Sequence, residues 1–280
     1  MPIHDQGYRR YGGTRAALGR SWQVIAASGA RTLLGRRAFV ALLLVAWVPF
    51  LVRAVQIYVA ANFPQTASLL AISPSTFREF IDQQGLFVFF VTIYAGAGLI
   101  ANDRRANALQ LYLSRPLTRA EYVAGKLAIL LVFLAGITWV PAMLLLLVQV
   151  LFAGSFAFVA RNLFLLPAIT LYSLLVVLVS ALTILALSSL SKSSRFVGIM
   201  YAGVVFFTAA LYQALRGITG RSSWAWLSPT DTLEQLGAII FRLDPPYELS
   251  AAGAIITVVV LAGASCGVLA RRVRAVEVVT

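Results

Sequence analysis

The chain of 280 residues contains one cysteine, Cys266, and one histidine, His4, so neither an intrachain disulfide nor a Cys/His metal cluster can be built from it. Acidic residues are scarce, ten against 23 Lys and Arg, and charged residues of both signs make up only 12%. None of the ten falls inside the long apolar runs described below, which weighs against proton- or sodium-coupled transport, where intramembrane carboxylates serve as relays and ion ligands. No nucleophile with a base is evident, and Asp231 with Glu234 reads more simply as a helix-start signal than as an acid/base pair. Chemistry in a membrane-embedded enzyme is therefore the weaker alternative, and no catalytic, cofactor-binding or metal-binding residue is assigned. A phosphate-cradling loop is missing as well: Gly125-Lys126 is followed by Leu127, and Ala120 stands where the first glycine of Gly-x-x-x-x-Gly-Lys-Ser/Thr belongs.

What the chain does have is apolar length. Hydrophobic residues make up 60% and the mean hydropathy is +0.86, a composition that a soluble globule could carry only with large exposed apolar patches. A membrane-crossing helix needs about 20 mainly apolar residues. Six stretches qualify: Ala38 to Val59, Gly85 to Ala101, Leu127 to Phe152, Leu163 to Leu190, Phe196 to Leu215 and Ala251 to Ala270. Runs such as Met143-Leu144-Leu145-Leu146-Leu147-Val148 are apolar on every side, unlike the alternating strands of a membrane barrel, so the spans are helices. The predicted fold is all-α: a basic N-terminal segment over 1–37, a six-helix transmembrane domain over 38–270 and a short tail over 271–280.

Charge orients the bundle. The N-terminus, the second and fourth loops and the C-terminus together carry 17 basic residues and the rest of the chain 6, which predicts that both termini are cytoplasmic. The acidic residues divide 4 and 6, so the whole net charge of +13 lies on one side of the membrane. Basic groups gathered at membrane ends, without a nucleic-acid-binding motif, point to anionic lipid headgroups and not to nucleic acid. The first apolar run follows a 37-residue Arg-rich segment, unlike the short, early core of a cleaved signal peptide, so the first helix is expected to be retained.

From Thr14 to Arg37, Leu18, Trp22, Ile25, Gly29 and Leu33 recur every three or four residues, with Arg20, Ser28 and Arg31 on other faces. This pattern predicts an amphipathic helix in the membrane interface, the alternative being an ordinary basic tail. Between the second and third spans lies the most informative stretch. Pro116 disfavours helix at Arg115, and Thr118-Arg119-Ala120-Glu121 reads as a capping box, so a short helix should end near Ser114 and the third span's helix begin at Thr118. Leu109, Tyr112 and Leu113 share one apolar patch beside Arg104, Arg105 and Arg115, a surface suited to docking. Lys126 sits where its stem can snorkel to water.

On the outer side, Ser73-Pro74 with Thr76 to Glu79, and Ser228-Pro229 with Asp231 to Glu234, are helix-start signals. The second opens an outer hairpin or re-entrant element with Leu236, Ile239 and Ile240 as its apolar stripe. Arg53 lies about six residues, roughly 9 Å of helix, from the outer end of the first span. It either faces a pathway or snorkels outward between Trp47 and Tyr58. Gly263 and Gly267 form a GxxxG pattern that suits packing within the chain or between subunits.

The order Gly96-Ala97-Gly98-Leu99-Ile100-Ala101-Asn102-Asp103-Arg104-Arg105, then Leu111-Tyr112-Leu113-Ser114-Arg115-Pro116-Leu117-Thr118-Arg119, then Gly125-Lys126 resembles the membrane subunits of ATP-binding-cassette transporters of the ABC-2 type. The resemblance extends over nearly the whole chain, with the outer loops alike only in layout. It implies a permease of the cytoplasmic (inner) membrane that forms the substrate pathway, works in export, and pairs with a second permease copy or a related one. It also implies a separate ABC ATPase subunit, where ATP and Mg would bind. The stretch from Asp103 through Arg115 would be the coupling helix, with Asp103, Arg104, Arg105, Leu109, Tyr112, Leu113 and Arg115 as coupling residues and Arg53 a candidate pathway residue. A non-transporting scaffold using the same connector to recruit a cytoplasmic partner is the alternative.

Overall fold

A computed structural model describes residues 21–63, 71–107, 118–154 and 156–273. Every regular element among the described residues is helical, and six helical stretches are long and apolar enough to cross a membrane: Arg37–Asn62, Pro74–Arg105, Arg119–Ala153, Leu165–Leu190, Ser194–Thr219 and Ala251–Arg272. These are the six expected spans, most of them lengthened by a few residues at one or both ends. The second differs most, beginning at Pro74 and not at Gly85. Ser73 caps it, its backbone N–H donating to Thr76 Oγ1 at 3.2 Å, and the proline at its first helical position needs no amide partner. The outer start signal therefore opens the span itself, and Arg78, Glu79 and Asp82 ride on its outer turns. The expectation that no span carries a carboxylate is corrected accordingly. At 1.5 Å per residue the helix runs about 48 Å against a hydrocarbon thickness of about 30 Å, so its ends reach past the apolar layer.

Several spans are broken, each for a local reason. Pro49 and Pro141 remove the amides that would bond Val45 and Ile137 and crowd those carbonyls, and the first and third spans are interrupted just before them, at Trp47 and Thr138. Thr138 Oγ1 donates back to Leu134 O at 2.8 Å. The fifth span contains a π-helical segment, Gly203–Phe207. The third starts where predicted: Thr118 Oγ1 accepts from Glu121 N, and the Glu121 carboxylate accepts from Thr118 N at 3.0 Å.

The fourth span is the axis of the bundle. It packs against the second, third, fifth and sixth spans and the outer helix, and 67% of its most apolar window is buried, against 11% for the first span and 17% for the sixth. The peripheral spans thus keep broad apolar faces open, as lipid or another subunit requires. Gly263 and Gly267 belong to such a face: a methyl group at either would meet nothing within 4 Å, so this GxxxG pattern packs against none of the described residues.

The N-terminal helix is described over Ser21–Leu34, and its expected start at Thr14 and Leu18 lie outside the described residues. Its stripe faces protein: Ile25 seats on Gly125, where a Cβ would stand 2.8 Å from the Ile25 Cβ, and Gly29 seats on Ile129. Leu33 is buried. Val24 and half-exposed Trp22 remain toward the surroundings. Beyond the fifth span, a 3-10 turn at Ser222–Leu227 leads into an outer helix, Pro229–Ile240, capped by Ser228 accepting from Asp231 N. It buries Leu233, Leu236 and Ala238 against the bundle. Gly237 lets it approach the Tyr172 ring, whose nearest atom would be 2.6 Å from an added Cβ.

Replacing Gly125 by leucine inserts a side chain where Ile25 and the Trp22 carbonyl already sit. We expect it to destabilise the protein by about 1–3 kcal/mol and to expose residues 21–34 to limited proteolysis. Thermal unfolding in detergent compared with a Gly136→Leu control, at a glycine with open space, checks this.

Candidate functional site

The basic end of the bundle is organised around a discontinuity in the second span. The helix breaks at Ala97 and resumes at Gly98–Arg105. In hydrocarbon a broken helix must regain its hydrogen bonds from a neighbour. Ser188, on the fourth span, supplies them: its hydroxyl donates to Ala97 O at 2.9 Å and accepts from Ile100 N at 3.1 Å and Ala101 N at 3.0 Å. Gly96 brings the two helices close enough, since a Cβ there would stand 2.7 Å from Ile184 Cγ2.

One turn further on, the helix carries Asp103, Arg104 and Arg105, so these three end the second span and do not begin a separate short helix. Asp103 Oδ2 accepts from Tyr122 OH at 2.7 Å and pairs with Lys126 Nζ at 2.8 Å, and the ammonium lies 5.4 Å from the centre of the Tyr122 ring. Lys126, read from the sequence as snorkelling, thus reaches a carboxylate. Arg104 donates to the carbonyl of Ser189, at the end of the fourth span. Arg105 is exposed and makes no ion pair among the described residues. Asn107 closes the described part of the connector with φ +51°, a left-handed conformation that asparagine tolerates. Leu109, Tyr112, Leu113 and Arg115, with the predicted helix end at Ser114, lie outside the described residues.

A second polar cluster occupies the opposite end, outer by the orientation that the charge bias predicts. Arg78 sits between Asp82, at 3.2 Å, and Glu234 of the outer helix, at 2.9 Å. Tyr172 of the fourth span donates to Asp82. The Tyr247 hydroxyl lies 2.7 Å from Glu234 Oε2 and 2.9 Å from Asp231 Oδ1, so one proton serves two carboxylates. Burial, and then the bonds to Glu234 and Asp231, push this phenol well above its ordinary range, keeping it a donor at physiological pH. Gln235, itself buried, accepts from Tyr247 N at 3.1 Å and donates to the carbonyls of Tyr247 and Leu249, holding the loop that carries Tyr247. Beneath lies a cavity of about 280 Å³, its mouth set by Asp82, Asp231 and Glu234 and its walls by Val88, Phe89 and Val176 among others.

Arg53 belongs to the rim of this end. Its guanidinium pairs with Glu79 at 3.2 Å and donates to Gln56 Oε1 at 2.9 Å and Gln83 Oε1 at 3.4 Å, tying the first span to the second. It is not among the residues lining the outer cavity. Sequence reasoning missed Ser188, Tyr122, Tyr172 and Tyr247, because a hydroxyl gives no hint of a partner 13 to 91 residues away.

Six spans, the fourth of them buried at the centre, with ion-pair clusters at the two ends, define a polytopic α-helical membrane protein. The family model described as ABC-2 family transporter protein matches residues 38–270. The chain belongs to this family and is a permease, the membrane component of a transporter and not a catalytic subunit. No curated protein matches the chain.

Two substitutions test the basic end. Ser188→Ala orphans a buried carbonyl and two amides, and we expect a loss of about 1–3 kcal/mol with the Gly136→Leu control unaffected. Asp103→Leu strands a buried ammonium, whereas Asp103→Leu with Lys126→Met removes both charges. Thermal unfolding should show the double variant recovering much of the loss caused by the first substitution alone.

Proposed function

We propose that this permease is driven by a separate ABC ATPase that docks on the connector between the second and third spans, and that it works in export from the cytoplasmic membrane. The observation that carries this reading is the anchoring of the connector at both of its ends: Asp103 to Tyr122 and Lys126, Arg104 to the end of the fourth span, and Thr118 in its capping box. A push on a segment held this way moves the second, third and fourth spans together instead of being lost in loop motion. Leu109, Tyr112 and Leu113 supply the apolar patch for the partner's cleft, and Arg105 and Arg115 its charged border. ATP and Mg belong to that partner. The basic end faces the cytoplasm, with both termini on that side, in keeping with the bias of Lys and Arg.

A second copy, or a related permease, would cover the open faces of the outlying spans. The substrate route leads to the cavity lined by Asp82, Asp231 and Glu234, and Arg53 ties the first span to the second at the same end. Such a coupling requires the ATPase to contact the connector differently in its two nucleotide states.

The test is affinity purification of the tagged chain from native membranes, with mass spectrometry of partners and ATP hydrolysis measured on the eluate. We expect an ABC ATPase to co-purify. Leu109→Asp with Leu113→Asp should abolish co-purification and lower the eluate's ATP hydrolysis to background, while leaving the permease in the membrane. Unchanged recovery of the ATPase would refute docking through this segment.

A further inference from the structure

A second cavity, of about 450 Å³, opens at the basic end between the N-terminal helix and the inner halves of the second and third spans. Neither the family assignment nor the coupling reading gives it a role. One side of its lining is apolar, with Leu33, Tyr94 and Leu99, and Tyr94 is held by a ring stack with Phe39 at 5.3 Å between centres. The other side is polar, with Asn102, Lys126 and Arg36. Asp103 already neutralises Lys126, at 2.8 Å, whereas Arg36 forms no ion pair with any described residue. The lining therefore keeps one uncompensated positive charge.

An uncompensated guanidinium beside an amide and an apolar wall, at the level where the first span emerges, calls for a ligand with an anionic head and an apolar body. Guanidinium groups favour phosphate oxygens, which they bind through paired N–H donors. A soluble phosphate would leave the Leu33, Tyr94 and Leu99 wall wet, whereas the first methylenes of an acyl chain would cover it. The volume also falls in the range of sites that take small ligands.

We propose that this cavity binds one anionic phospholipid of the adjoining leaflet, its phosphate on Arg36 with Asn102 alongside and its glycerol and upper acyl chain on the apolar wall. The lipid fills the gap under the N-terminal helix next to the Asp103–Lys126 pair, so it braces the root of the connector. Naming that leaflet cytoplasmic rests on the orientation proposed above; the binding does not.

The experiment is native mass spectrometry of the full-length chain in mild detergent, titrated with dioleoylphosphatidylglycerol or dioleoylphosphatidylcholine. Free sn-glycerol 3-phosphate serves as competitor. We expect one phosphatidylglycerol to bind in preference to phosphatidylcholine, and Arg36→Gln to weaken it by about tenfold or more. Arg31→Gln removes an equal charge from the same end outside the cavity and should change it little, and Arg36→Lys should keep part of the affinity and the wild-type melting point. Ser28→Trp, which narrows the cavity without altering charge, should also reduce binding. Equal binding of the two lipids, or equal losses in the Arg31 and Arg36 variants, would reduce the effect to general surface attraction and overturn the site. Full displacement by glycerol phosphate at the affinity of the lipid would overturn the lipid as its occupant. Orientation is tested separately, by accessibility of a cysteine placed at Arg272 in a Cys266→Ser background, so its failure would not be mistaken for failure of the site.

Discussion

In a hydrocarbon surrounding, a backbone amide or carbonyl that leaves its helix has no water to turn to, and this constraint organises the inner half of the protein. The second span breaks at Ala97, and the Ser188 hydroxyl satisfies one carbonyl and two amides at once. That arrangement demands close approach, which Gly96 permits, and it locks the second span to the most buried helix of the bundle. The positions of Asp103 and Arg104, one turn beyond, follow from it.

The same economy governs the charges. Partly buried ions persist only when paired, and each cluster joins different elements instead of neighbours along one helix alone. Arg78 links the second span to the outer helix through Glu234, and Tyr172 brings in the fourth span through Asp82. At the other end Asp103 links the second span to the third. Between the clusters the buried polar side chains are uncharged, Gln84, Thr92, Thr138, Ser180 and Thr183 among them, so the ion pairs sit toward the ends, where water and headgroups lower the cost of charge. The outer cavity lies among the elements that these ties hold, and the inner cavity lies under a helix that is seated on the third span by Gly29 and Gly125.

Such a frame suits a permease. Elements tied at both ends move as units, and the open apolar faces of the first, fifth and sixth spans leave room for lipid or another subunit. The breaks at Trp47, Ala97 and Thr138 divide three spans into shorter rods, and both rods of each still pack on a shared neighbour, the second span for the first and the fourth span for the second and third.

Much of this was legible in the residues. Apolar length settled six helices, since lipid leaves the backbone only helices or closed barrels and these runs lack a barrel strand's alternation. Local chemistry settled the caps at Ser73, Thr118 and Ser228, because a capping residue bonds within three positions of itself. The run from Gly96 to Lys126 carried the family resemblance. What the tertiary structure alone decided is every tie between distant residues: Ser188 in the Ala97 break, Lys126 on Asp103, Arg53 on Glu79, and a Gly263/Gly267 face that meets none of the described residues. It also moved the start of the second span outward, because charged Arg78, Glu79 and Asp82 break a hydropathy window while their ion pairs let the helix continue. Periodicity and capping act over a few residues and can be read along the chain; hydrogen bonds and ion pairs across helices depend on which faces meet, and only packing in three dimensions determines that.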